Sequence, residues 1–286
     1  MHLFCFGLGY SALAVARHHG AAFSRISGTV RTAQKAAALA GAGVEPLLHA
    51  GGEPGPALRE ALASADAVLV SAAPDEAGDP LLRLLASMAE LPRAWPVVYL
   101  STIGVYGDHG GAWIDETAPL NAGNPRGRRR IEAEAAWLAR GERLGSPVQV
   151  LRLAGIYGPG RSAVDDLRAG VARRLIKPGQ VFNRIHVDDI AAAVMAALAH
   201  PEATGAFNIC DDEPAPPQDV VEYAARRLGL PVPPDLSFEQ AQLSEMARSF
   251  YAECKRCRNH RARRALGWRP QYPSYREGLD AIIAAP

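Results

Sequence analysis

Cysteine is scarce in this chain, with four in 286 residues at Cys5, Cys210, Cys254 and Cys257. That is far below the density of a disulfide-stapled scaffold, and two of the four sit in strongly apolar contexts. The expectation is therefore buried thiols in a reducing, cytoplasmic compartment. Net charge is nearly absent too: 31 basic residues against 30 acidic ones leave +1, which gives no long-range attraction for nucleic acid or anionic lipid. No apolar run approaches the roughly 18 residues of a membrane span. The apolar start HLFCFGLGYSALAVARHH could pass for a signal peptide, but it lacks a basic leading region. With 48% hydrophobic and 21% charged residues, the composition excludes a disordered or collagen-like chain and predicts an ordinary soluble globular protein. Three further motifs are missing. A GxSxG elbow, an HExxH helix and a Walker lysine would mark hydrolases and NTPases, and none occurs.

What is present is an alternation. Short runs rich in Val, Leu or Ile at 2–6, 25–30, 44–48, 66–72, 96–101 and 148–154 read as strands buried on both faces. Stretches near 11–20, 32–42, 56–64, 79–90 and 128–144, supplied with Ala, Leu, Arg and Glu, read as the crossover helices. This is the pattern of an α/β protein with a Rossmann-type, doubly wound parallel sheet. Beyond residue 155 glycine and proline turns loosen the pattern. A helix at 188–199 and a strand at 206–210 read as sheet continuation, and 213–275 as a smaller lobe over the strand ends. The chain thus reads as one extended Rossmann-type domain over 1–286. Residues 1–155 form a dinucleotide-binding core, and 156–286 mix sheet completion with a small C-terminal substrate lobe.

The first strand runs into Gly7-Leu8-Gly9-Tyr10-Ser11-Ala12 and then directly into a helix. In this G-x-G-x-x-A arrangement Gly7 permits a tight turn, Gly9 lets a pyrophosphate reach the backbone, and Ala12 packs helix closely on strand. The free N–H groups of the helix start, around Tyr10, Ser11 and Ala12, then hold the phosphates. The alternative is a tight packing turn. An NAD-selective site needs Asp or Glu at the end of the second strand, and the stretch Gly28-Thr29-Val30-Arg31-Thr32 has neither. Arg31 and Thr32, with Lys35 a turn later, suit a 2′-phosphate, so NADP is expected over NAD. A solvated Arg31 at a strand end is the competing reading. Ser71 ends the fourth strand and belongs near the cofactor, since ligands bind at strand carboxyl ends; Asp75 or Asp79 approaches the same cleft.

Around the fifth strand, Val98-Tyr99-Leu100-Ser101-Thr102-Ile103-Gly104-Val105-Tyr106-Gly107-Asp108 resembles the extended short-chain dehydrogenase/reductase family. The stretches LRLAGIYGPG (151–160), RIHVDDIAAAV (184–194), FNICDDEP (207–214) and LGWRPQYPSYREGL (266–279) extend the resemblance over nearly the whole chain, most closely to the atypical NAD-dependent epimerase/dehydratase-like branch. The resemblance implies that Thr102 orients substrate. It also implies a Tyr-x-x-x-Lys pair about twenty residues later, with the tyrosine as acid/base and the lysine on the ribose. Counting back from Glu134, those places hold Arg126 and Arg130. A guanidinium cannot act as a general base, but Arg130 retains the charge and donors to replace lysine beside the ribose. The cluster Arg126, Arg128, Arg129 and Arg130 otherwise reads as a solvated helix turn.

With that tyrosine missing, Tyr106, His186, Tyr157 and Tyr10 remain as proton donors. Tyr106 beside Thr102 is weighed against a packing role, and His186 with Asp188 and Asp189 against helix capping. Cys254-Lys255-Arg256-Cys257 with His260 has metal or redox spacing but lacks a closed ligand set. Two functions follow. One is an NADP(H)-dependent reductase, epimerase or dehydratase acting on a small carbonyl or sugar-like substrate, through Thr102, Arg130 and Tyr106. The other is a catalytically inactive dinucleotide-binding sensor or regulator. Family resemblance also points to a homodimer through 79–90 and 128–144.

Overall fold

The computed structural model describes residues 1–88 and 94–285. Seven parallel strands form one sheet: β1 (His2–Phe6), β2 (Arg25–Val30), β3 (Glu45–Leu48), β4 (Ala67–Val70), β5 (Val97–Thr102), β6 (Val148–Leu153) and β7 (Gly205–Ile209). Their spatial order is β3-β2-β1-β4-β5-β6-β7, so the chain reverses direction across the sheet between β1 and β4. Side chains of β1, β4 and β6 are buried along their whole length, as strands covered on both faces require.

Helices α1 (Tyr10–His19), α2 (Ala33–Ala38), α3 (Pro56–Ser64), α4 (Pro80–Ser87), α5 (Pro125–Leu144), α6 (Ala163–Arg168) and α7 (Val187–Ala199) follow in chain order. One face of the sheet packs on α1 and α7 through Leu3, Val15, Ile190 and Val194. The other packs on α3, α4 and α5 through Phe4, Leu62, Leu81 and Trp137. Thus the doubly wound sheet expected from the alternation is the fold of the molecule.

The boundaries differ where local chemistry overrides periodicity. The fourth strand stops at Val70, not at residue 72, because the amides of Ser71 and Ala72 both turn onto the Phe6 carbonyl. Helix α5 starts three residues earlier than residue 128. Asn124 accepts from the Gly127 amide at 2.9 Å and Pro125 occupies the first turn, where a missing N–H costs nothing. The helix expected over 79–90 is seen as α4, and positions 89–90 lie outside the described residues.

The second half adds α8 (Pro217–Leu228), α9 (Glu245–Tyr251), α10 (His260–Ala265) and α11 (Tyr275–Ala284). A small core of Tyr157, Val164, Ala224, Tyr275 and Leu279 joins α6, α8 and α11. Two-stranded parallel pairs tie this lobe together: Gly155–Tyr157 with Arg184–His186, and Arg174–Ile176 with Asp235–Ser237. A third pair, Trp113–Ile114 with Arg256–Cys257, brings the 253–257 segment over the loop that follows β5. Among the described residues no helix is long and apolar enough to cross a membrane.

Candidate active site

Two cavities open where strands end. The first, of about 630 Å³, lies at the reversal between β1 and β4 and is lined by Gly7, Gly9, Arg31, Thr32, Lys35 and Ser71, among others. Gly7 sits at φ +103°, a conformation that L side chains rarely adopt, and an added Cβ would lie 2.9 Å from the Ser71 hydroxyl. The turn is held from both sides. The Gly7 amide donates to Thr29 Oγ1 at 2.8 Å, and the Ser71 hydroxyl donates to the Gly7 carbonyl.

At Gly9, which caps α1 in an extended conformation, a Cβ would meet no atom within 4 Å. No side chain caps this helix, and the amides of Tyr10, Ser11 and Ala12 have no acceptor among the described residues. An uncapped helix start facing open space is what a phosphate group requires.

Charge in this cavity is unevenly used. Asp75 is occupied by a two-pronged bond from Arg83, at 2.7 and 2.8 Å, and hydrogen bonding to Arg83 holds its carboxyl below the ordinary range. Among the described residues Arg31 and Lys35 form no ion pair, and Thr32 caps α2 by accepting from the Lys35 amide. The wall therefore offers free cations at the end of β2 and no free carboxylate. Asp79 is buried as the cap of α4, accepting from the amides of Leu81 and Leu82, and does not line this cavity.

The second cavity, about 600 Å³, lies beyond β5 and under the C-terminal lobe. Thr102 and Gly104 form part of its wall, facing Ile156, Phe182 and Arg184, with Phe250 and Lys255 contributed from the lobe. Thr102 is half-buried, and its Oγ accepts from the Gly104 amide at 3.1 Å, which leaves the hydroxyl proton to be donated. Lys255 is buried. Its ammonium donates to the Gly107 carbonyl at 2.6 Å and to Glu253 at 2.7 Å, leaving one of three N–H groups without a protein partner.

Of the remaining sequence candidates only Tyr157 lines either cavity. Tyr106 is fully buried; its hydroxyl donates to Asn208 Oδ1 at 2.7 Å and accepts from Arg152 at 2.9 Å, and it lines neither cavity. Burial pushes its phenol well above the ordinary range. Arg126 is exposed, whereas Arg130 is half-buried and spends Nη1 on the Tyr99 hydroxyl and the Leu100 carbonyl. His186 accepts from the Asp188 amide as the cap of α7, between the rings of Tyr157 and Tyr272. The Tyr10 hydroxyl donates to the Pro159 carbonyl at 2.9 Å, and Tyr157 lines the second cavity. Cys257 is buried and Cys254 half-buried; among the described residues no three His, Cys, Asp or Glu side chains are grouped to hold a metal ion.

The sequence motifs single out none of Arg161, Arg184, Glu253 or Lys255 for the second cavity. The cue was thin: arginines just after the YGPG turn and just before the IHV motif.

Comparison with known proteins gives these dimensions a context. The model of the NAD dependent epimerase/dehydratase family matches residues 80–210. A 3-diazoavenalumate denitrifying reductase from a Streptomyces species is 35% identical over 182 residues, which is 58% of each chain, so the match spans somewhat over half of that relative. A functionally unknown conserved protein from Silicibacter pomeroyi is 48% identical, with a TM-score of 0.88 over 99% of this chain and 98% of its own. The dTDP-glucose 4,6-dehydratase of Bacillus anthracis, solved in complex with NAD, shares the fold at 18% identity. Its TM-score is 0.79, over 99% of this chain and 95% of its own.

Proposed function

The chain belongs to the NAD dependent epimerase/dehydratase family, and on that premise we propose that it is an NADP(H)-dependent enzyme acting on a small carbonyl compound. The observation that carries the reading is the pairing of an uncapped, glycine-lined helix start with unpaired Arg31 and Lys35 in one cavity. The amides of α1 hold the pyrophosphate, and Arg31 with Thr32 takes the 2′-phosphate. When bound, the dinucleotide supplies hydride chemistry. The second cavity holds the substrate, and Thr102 donates its hydroxyl proton to the substrate oxygen. Lys255, fixed by Gly107 and Glu253, keeps a cation in the same wall. The Streptomyces relative is a reductase by name, which supports reduction as the reaction.

The exposure of Arg126 favours a second reading, a dinucleotide-binding sensor without turnover, because that position offers no acid/base group. One titration series tests the cofactor assignment. NADPH should bind more tightly than NADH, and Arg31→Ala should weaken NADPH by at least about tenfold while leaving NADH unchanged, as expected for loss of a charge-assisted phosphate contact. Equal binding of the two coenzymes would reject it. Tight NADPH binding with no oxidation of NADPH across a panel of ketones, aldehydes and nucleotide sugars would select the sensor.

A further inference from the structure

The walls of the cavity beside Thr102 are unusual in which polar groups remain available. Asn183 is used at both ends: its amide donates to the Lys255 carbonyl at 2.9 Å and its oxygen accepts from the Cys257 amide at 2.7 Å. Glu253 and Lys255 are paired with each other. Two guanidinium groups are not used up. Arg184 commits only Nη1, to the carbonyls of Phe182 and Ala215 at 3.0 Å, so Nε and Nη2 have no hydrogen-bond partner among the described residues. The carboxyl that acts on it most strongly, Asp211, forms no ion pair with it among the described residues, and burial works against the Arg184 charge. Arg161 has no side-chain hydrogen bond and no ion pair among the described residues. The rest of the lining is apolar and aromatic: Ile156, Val181, Phe182, Phe250 and Tyr251. Phe182 and Tyr251 stand edge to face, with ring centroids 5.1 Å apart.

Such a wall has few free partners for the hydroxyls of a sugar. It has flat apolar surface and two cationic forks, the geometry that recognises a carboxylate through paired N–H donors. We propose that the substrate is an aromatic carbonyl compound bearing a carboxylate, its ring against Phe182, Phe250 and Tyr251, its carboxylate on Arg184 and Arg161, and its reactive oxygen at Thr102. The inference rests on the reading above that this cavity takes the substrate.

The test is isothermal titration of the full chain, without coenzyme, using 4-formylbenzoate, its neutral methyl ester and UDP-glucose. The acid should bind at least about tenfold more tightly than the ester, the scale of one charge-assisted hydrogen-bonded contact. Arg184→Gln and Arg161→Gln should each remove most of that preference. Since Arg184 is enclosed by the lobe, Arg161→Gln, at an exposed position, decides the matter if Arg184→Gln fails to fold. Absence of a preference for the acid, whether acid and ester bind equally or not at all, overturns the proposal, as does UDP-glucose binding more tightly than the acid. NADPH is titrated separately on the same protein. Bound NADPH with no carboxylate preference counts against this inference alone, and a carboxylate preference without NADPH binding counts against the dinucleotide assignment alone.

Discussion

Arg152 on β6 grips Glu134 of α5 inside the protein, donating from Nη2 at 2.8 Å and from Nε at 3.1 Å, with side-chain exposures of 7% and 3%. Ser101 donates to the same carboxylate, and Arg152 also donates to Tyr106. The network therefore pins α5 to the strand end where Thr102 begins its turn. Removing one member strands a buried charge. Glu134→Leu should lower stability by about 3–5 kcal/mol, whereas Glu134→Leu with Arg152→Met should recover much of it, because no uncompensated charge remains. Urea unfolding of both variants checks this, and a single variant within about 1 kcal/mol of the parent would show that the pair does not anchor the helix.

Gly7 and Gly9 differ in what constrains them. At Gly7 the chain itself objects to a side chain, through φ +103° and the Ser71 contact. At Gly9 only a ligand can object, since an added Cβ meets nothing and φ is −92°. Gly7→Ala should therefore cost about 1–3 kcal/mol of stability as well as coenzyme affinity. Gly9→Ala should keep the urea midpoint of the parent yet lose at least about tenfold in NADPH affinity, because on the proposed assignment the pyrophosphate approaches the backbone there. Unchanged NADPH binding by Gly9→Ala would sink the phosphate assignment.

These residues also show what the sequence makes legible. Glycine spacing and runs of Val and Leu are local signals, so the doubly wound parallel sheet could be read before the structure, whereas the strand order, with its reversal between β1 and β4, could not. Thr102, singled out through the family resemblance, lines the second cavity. Tyr106 lines neither cavity, and two residues far away in sequence, Asn208 and Arg152, absorb its hydroxyl. Arg184 and Lys255 come to the cavity through long-range pairing of short strands, which periodicity does not encode.

The contrast between Thr102 and Tyr106 is testable in one experiment. Thr102→Val removes a hydroxyl from the wall of the second cavity and, on the function proposed above, a hydrogen bond to the substrate oxygen. It should lower kcat on the best carbonyl substrate on the order of 100-fold, with NADPH affinity unchanged. Tyr106→Phe removes a buried hydroxyl from the Asn208 and Arg152 network. It should cost about 1–3 kcal/mol in urea unfolding while turnover per folded molecule stays at the parent value. A kcat collapse in Tyr106→Phe, with Thr102→Val active, would exchange their roles.

Asp189 sets a pH dependence at the junction of sheet and lobe. Its carboxylate accepts from the amides of Gln271 and Tyr272, tying the C-terminal segment to α7, and burial pushes its pKa up to about 6 from the ordinary 3.8. The folded protein thus holds a proton between about pH 4 and 6 that the unfolded chain has already released. Stability must fall as pH rises through that window and stay lower above it, by at most about 3 kcal/mol. Asp189→Asn has no proton to lose. Other groups titrate in both proteins, so the readout is the difference: the stability of Asp189→Asn minus that of the parent should increase by about 2–3 kcal/mol between pH 4 and pH 7.5. Urea denaturation at each pH measures it, and a difference that does not change with pH would mean that Asp189 titrates no differently in the folded and unfolded chains.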